Sequence, residues 1–174
     1  MKNNKISVQS MALLALLVAI QIVLSRQFAI ETQLVKFSFA FVATFLMGLF
    51  LGPWWAGIGG VLSDVIGMTL LAKSPFFIGF TFSAFLGGVV YGLYFYNKEV
   101  TLKRCIACVL TNAVLFTLIL TPLWLSIMYN IPLNSWAIWS VRLIKLAITI
   151  PLHVATLYIV GKALPIEQLK RKLA

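Results

Sequence analysis

Six runs of apolar residues, near 7–25, 37–51, 54–72, 77–97, 103–129 and 136–163, leave little room for anything else in a chain of 174 residues. A hydrocarbon core about 30 Å thick needs roughly 20 apolar residues per helix, fewer where helices pack closely, so runs of this length predict membrane spans. With 61% hydrophobic and only 10% charged residues, a soluble protein of this size has too little interior to hide its apolar surface. The expectation is an all-α membrane protein: one domain, residues 1–174, of six transmembrane helices.

The charges set the expected orientation. A net charge of +10 would suggest nucleic acid if it formed a patch on a soluble surface, but here the basic residues sit at the ends of apolar runs, so no nucleic-acid partner is expected. Lys2, Lys5, Lys98, Lys103, Arg104, Lys162, Lys170, Arg171 and Lys172 fall at the two termini and in one central loop, whereas Arg26, Lys36 and Lys73 fall in the alternate loops. The positive-inside bias then places both termini and the 97–104 loop in the cytoplasm of a multi-pass plasma-membrane protein. The first run is followed by Arg26 rather than by a small-residue cleavage site, so it is read as a retained span. Leu51-Gly52-Pro53 reads as a tight turn in which proline opens the next helix.

Against this background three ionisable residues stand out, because charge inside an apolar run is expensive and usually marks a site. Asp64 interrupts the third run, and Arg142 and Lys145 sit one helical turn apart in the sixth. Counting from the expected ends of their helices at about 1.5 Å per residue places Asp64 and Lys145 about 16 Å deep and Arg142 about 12 Å deep. The three are expected at similar levels. Trp139, Arg142 and Lys145 form one stripe on the helix, with Thr149 a further turn on. Two cations facing one acid call for an anionic or carbonyl-rich guest; the alternative is an ion pair of Asp64 with Arg142 or Lys145 that only fixes two helices. Arg26, Glu31, Lys36 and Lys73 are expected around the mouth above this group, where an anion would be attracted. Phe76, Phe77, Phe80, Phe82, Trp124, Tyr129 and Trp136 lie near the same boundary. An interfacial belt accounts for most of them, and a planar ligand needs a few for stacking. Ala12, Ala15 and Ala19 make a small-residue strip on the first helix, suited to another helix inside or outside the protein.

Absences narrow the function. No phosphate loop is present, so ATP hydrolysis by that route is excluded. Matching broken helices in two inverted halves are missing, which disfavours a self-sufficient secondary transporter. One buried acid and the lone His153 compose no recognisable catalytic group, so no enzyme is expected. Cys105 and Cys108 lack the further ligands of a closed zinc site, and neither metal nor cofactor is expected. What remains is a substrate-capture subunit that borrows its motor, with a non-transporting scaffold as the alternative from another class.

Several segments together carry a resemblance: Leu24-Ser25-Arg26, Lys36-Phe37-Ser38-Phe39, Gly52-Pro53-Trp54-Trp55-Ala56-Gly57 leading to Ser63-Asp64, Gly79-Phe80-Thr81, Tyr91-Gly92, Trp124-Leu125-Ser126 and Arg142-Leu143-Ile144-Lys145. Through nearly its whole length the chain resembles the folate-family substrate-binding (S) components of energy-coupling factor transporters. The resemblance implies a six-helix protein that binds folate or a reduced folate from outside. It also implies docking on a transmembrane coupling subunit and two cytoplasmic ATPases, with Ala12, Ala15 and Ala19 on the docking face. Asp64, Arg142, Lys145, Arg26, Lys36, Phe80, Thr81, Trp136 and Trp139 are the implied ligand-binding residues. Asp64 suits the amino and ring N–H edge of a pterin, Arg142 or Lys145 its carbonyl, and Arg26 and Lys36 the glutamate carboxylates. Phe80, Trp136 and Trp139 suit its flat rings. Ile78 stands where the family often has proline before Gly-Phe-Thr. A related component for another vitamin, riboflavin or pantothenate, is the nearest alternative.

Overall fold

The computed structural model describes residues 7–31, 36–71, 76–130, 136–166 and 169, without the side chains of 30, 31, 36, 37, 136–138 and 141. Its elements run α1 (Val8–Arg26), β1 (Ile30–Glu31), β2 (Lys36–Phe37), α2 (Ala40–Leu70), α3 (Ile78–Phe95), α4 (Leu102–Asn112), a π-helical segment (Ala113–Leu120), α5 (Thr121–Tyr129) and α6 (Trp136–Ala163). Among the described residues five helices are long and apolar enough to cross a membrane, the stretch Leu102–Tyr129 counting as one.

The runs 37–51 and 54–72 form two helical stretches, numbered together as α2, that meet at a kink at Gly52, whose φ of 85° and ψ of 176° are non-helical, where the sequence placed a turn. Glycine tolerates that positive φ, and Pro53, with φ already fixed near a helical value, restarts the helix. The loop expected between Ser25 and Lys36 contains an antiparallel pair of two-residue strands, with Ile30 opposite Phe37 and Glu31 opposite Lys36. That pair uses Lys36 and Phe37, so α2 begins at Ala40.

Helix ends follow local chemistry. Ser7 caps α1 by accepting the Ser10 N–H at 3.1 Å, and Thr101 accepts the Arg104 N–H at the start of α4. Asn130 ends α5 in the left-handed region, with φ 53°.

The tightest packing joins α2 to α3. A Cβ on Gly60 would strike the Ala84 backbone, one on Gly88 the Ala56 backbone, and one on Gly92 the Pro53 backbone. These absent side chains let the two backbones touch, and because each step up α2 is a step down α3, they fix an antiparallel register. Phe45, Leu49, Tyr91, Phe95, Cys105, Cys108 and Leu157 form one buried cluster, in which both cysteines are free thiols. Leu14, Leu17, Val18, Met47 and Ala56 form a second, which seats α1 on α2. Apolar side chains also face outward, Trp54, Leu70, Ile78 and Ile144 among them, as lipid-facing positions require.

Candidate ligand-binding site

The α2/α3 register determines what faces Asp64. One turn beyond the Gly60–Ala84 contact, Asp64 on α2 meets Thr81 on α3, and the Thr81 hydroxyl donates to Asp64 Oδ2 at 2.7 Å. The other carboxylate oxygen, Oδ1, lies 3.7 Å from Arg26 Nη2. Side chains on a helix tilt toward its N-terminus, so Arg26, the last residue of α1, runs back along the bundle rather than out of it. It is only 3% exposed, so the mouth position expected for it is corrected: its Cα sits at the helix end while its guanidinium reaches the half-buried Asp64 carboxylate. Among the described residues Arg26 forms an ion pair with Asp64, a partner not considered in the sequence alternative of Arg142 or Lys145.

Arg142 is held elsewhere and is also buried, at 4% exposure. Its Nη1 donates to the Thr117 carbonyl at 3.0 Å. Why that carbonyl is free follows from the π segment. Within it the backbone bonds run to the fifth residue, as Thr121 N–H to Phe116 O illustrates. The next donor in that series is Pro122, which has no N–H, so Thr117 O is left without a backbone partner. A buried carbonyl needs a donor, and Arg142 supplies it.

Both arginines keep donors in reserve. Among the described residues Arg26 Nε and Nη1 and Arg142 Nη2 are buried without a hydrogen-bond partner, as are Gln21 Oε1 and Thr149 Oγ1. An unsatisfied buried donor on a charged group is destabilising by about 1–3 kcal/mol or more. Guanidinium groups in that condition suit a ligand that brings carboxylate or carbonyl oxygens.

Of the other sequence-selected residues, Phe80 is half-buried and meets Phe77 edge-on at 6.0 Å. Phe77 in turn lies 5.7 Å from Trp124, whose Nε1 donates to Ser83 Oγ at 2.9 Å. Trp139 and Lys145 are half-buried on α6, and both have interactions within the protein. Lys36 lies in β2 and Trp136 opens α6, but their side chains are outside the described residues, as is Lys73 altogether. Sequence reasoning missed Thr117, Ser83 and Gly67 as neighbours of these groups. Pro122 inside an apolar run was the one available signal for Thr117.

A second surface lies on the outside of α1. There an apolar groove of about 420 Å³ is lined by Ala15 and Ala19, with Met11 and Ile22 on the same helix and Leu62 and Ile66 on α2. Ala12 is exposed but does not line the groove.

Comparison with known proteins identifies the family and a similar solved fold. Residues 9–161 match the family described as ECF transporter, substrate-specific component. A folate transporter FolT of Clostridium novyi (strain NT) is 35% identical over 96% of this chain and 96% of its own. One from Leuconostoc mesenteroides is 33% identical over 88% of this chain and 85% of its own. A solved structure described as FolT bound with folic acid superposes with a TM-score of 0.88 at 46% identity, covering 91% of this chain and 95% of the other.

Proposed function

This chain belongs to the substrate-specific components of ECF transporters, and from that membership we propose that it captures folate or a reduced folate at the outer face of the plasma membrane. The relatives' shared name and the folic acid in the similar structure support the choice of ligand. The observation that carries the reading is the set of unpaired guanidinium donors on two buried arginines, Arg26 beside Asp64 and Arg142 beside the Thr117 carbonyl. Folate matches both signs. Its carboxylates and ring carbonyl accept from arginine or lysine, and its amino and ring N–H edge donates to Asp64, whose oxygens retain lone pairs beyond those used by Thr81 and Arg26. Lys145, Lys36, Phe80, Trp136 and Trp139 complete the proposed site, the aromatic rings stacking on the flat heterocycle.

In this reading the break at Gly52 divides α2 into two spans, so the single domain crosses the bilayer six times with both termini in the cytoplasm. A transmembrane coupling subunit docks along the Ala15/Ala19 groove, with Ala12 at its margin, and two ATPases supply the energy. The protein itself performs no chemistry on the ligand. Thermal stability against a vitamin panel tests the ligand, since a compound bound only by the native state raises stability by about 2.7 kcal/mol at a hundred times its Kd. Folate and reduced folates are expected to raise the Tm of the purified protein, with riboflavin and pantothenate inert. Stabilisation by one of the latter with none by folate would contradict the assignment.

A further inference from the structure

Gly67 lies buried on α2, one turn beyond Asp64. A Cβ built there would stand 3.0 Å from Arg26 Nε, 3.6 Å from Nη2 and 3.7 Å from Cγ. The arginine side chain therefore crosses α2 over the place where any other residue would carry a side chain, on its way to the carboxylate. Among the described residues, the three heavy atoms nearest that Cβ all belong to Arg26. Gly67 is an interior helical residue, where glycine is less favourable than alanine. The atoms a methyl group would meet belong to the Arg26 side chain, whereas those at Gly60, Gly88 and Gly92 are main chain of the facing helix.

We propose that Gly67 is a positioning residue for ligand capture: it forms the slot that seats the Arg26 guanidinium across α2, with Nη2 toward Asp64 and with Nε and Nη1 left for the ligand. The slot fixes a long side chain that would otherwise have many rotamers, so the binding geometry exists before the ligand arrives. A methyl group at position 67 displaces the guanidinium, not the helix, so affinity falls together with the stability that the seated Arg26 side chain contributes. This inference rests on the folate reading for its affinity readout, while its stability readout is independent of it.

The test is a double-mutant cycle on the full chain: wild type, Gly67→Ala, Arg26→Ala and the double variant, each titrated with folate into the millimolar range and each melted without ligand. With Arg26 present, Gly67→Ala is expected to weaken folate binding by about tenfold and to lower the ligand-free Tm; with Arg26→Ala, it changes affinity by less than about twofold and leaves the Tm unchanged or higher. Unaltered folate affinity in Gly67→Ala, or the same weakening in both backgrounds, overturns the proposal. Should the wild type bind no folate, the ligand assignment alone falls and the ligand-free Tm cycle decides. A Tm loss confined to the Arg26 background then supports the slot. A loss in both backgrounds, or in neither, overturns it.

Discussion

Thr81 donates to Asp64 at 2.7 Å and Arg26 approaches the same carboxylate at 3.7 Å, so the acid is held from two helices at once. Replacing Thr81 with valine keeps the shape and removes the donor. Because a hydrogen bond to a charged group contributes about 1.5–3 kcal/mol, Thr81→Val is expected to weaken folate binding roughly tenfold or more, and Thr81→Ser to retain most of it. Equilibrium titration of the two variants checks this. At the same scale, Asp64 and Arg142 were legible in the sequence because a charge inside an apolar run has no other cheap explanation. Arg26 was misplaced because spacing gives the height of a Cα and not the reach of a long side chain. Gly67 was invisible for a related reason, since a glycine in an apolar run reads as helix packing and only coordinates reveal the arginine lying over it.

At the scale of elements, the π segment and Pro122 act together. Pro122→Ala supplies an N–H that competes for the Thr117 carbonyl, so Arg142 loses its anchor and ligand affinity falls several-fold. In an Arg142→Ala background the same change is expected to have no further effect, which a titration of all four proteins tests. The sequence shows this proline but not its consequence, because an interior proline can kink, break or widen a helix. Apolar runs were readable for the same reason that their boundaries were not: hydropathy reports immersion, while hydrogen bonding decides where a helix starts. The strand pair at Ile30–Glu31 and Lys36–Phe37, which delays the start of α2 to Ala40, belongs to that second category. The close backbone approach between α2 and α3 rests on Gly60, Gly88 and Gly92, and spacing along the chain does not say which helices meet.

For the whole molecule, the proposed ligand site and the proposed docking face are separate surfaces: the ion pair joins Arg26 and Asp64, and the apolar groove is lined by Ala15, Ala19 and Leu62. Replacing Ala15 and Ala19 together with tryptophan fills the groove without touching the buried charges. Folate binding by the purified variant is then expected to stay within about twofold of wild type, a change under 0.5 kcal/mol, while folate uptake by the assembled transporter is lost. Uptake assays in cells beside binding assays on the isolated chain measure the two effects. The central claim, that Asp64 with Arg26 and Arg142 holds a folate, is tested most directly by calorimetric titration of the purified protein and its Asp64→Asn variant. The account predicts one folate per chain for wild type and affinity reduced by about a hundredfold in the variant, the 2–5 kcal/mol expected when one member of a buried charged contact is removed. Asp64→Asn binding folate as tightly as wild type would contradict it.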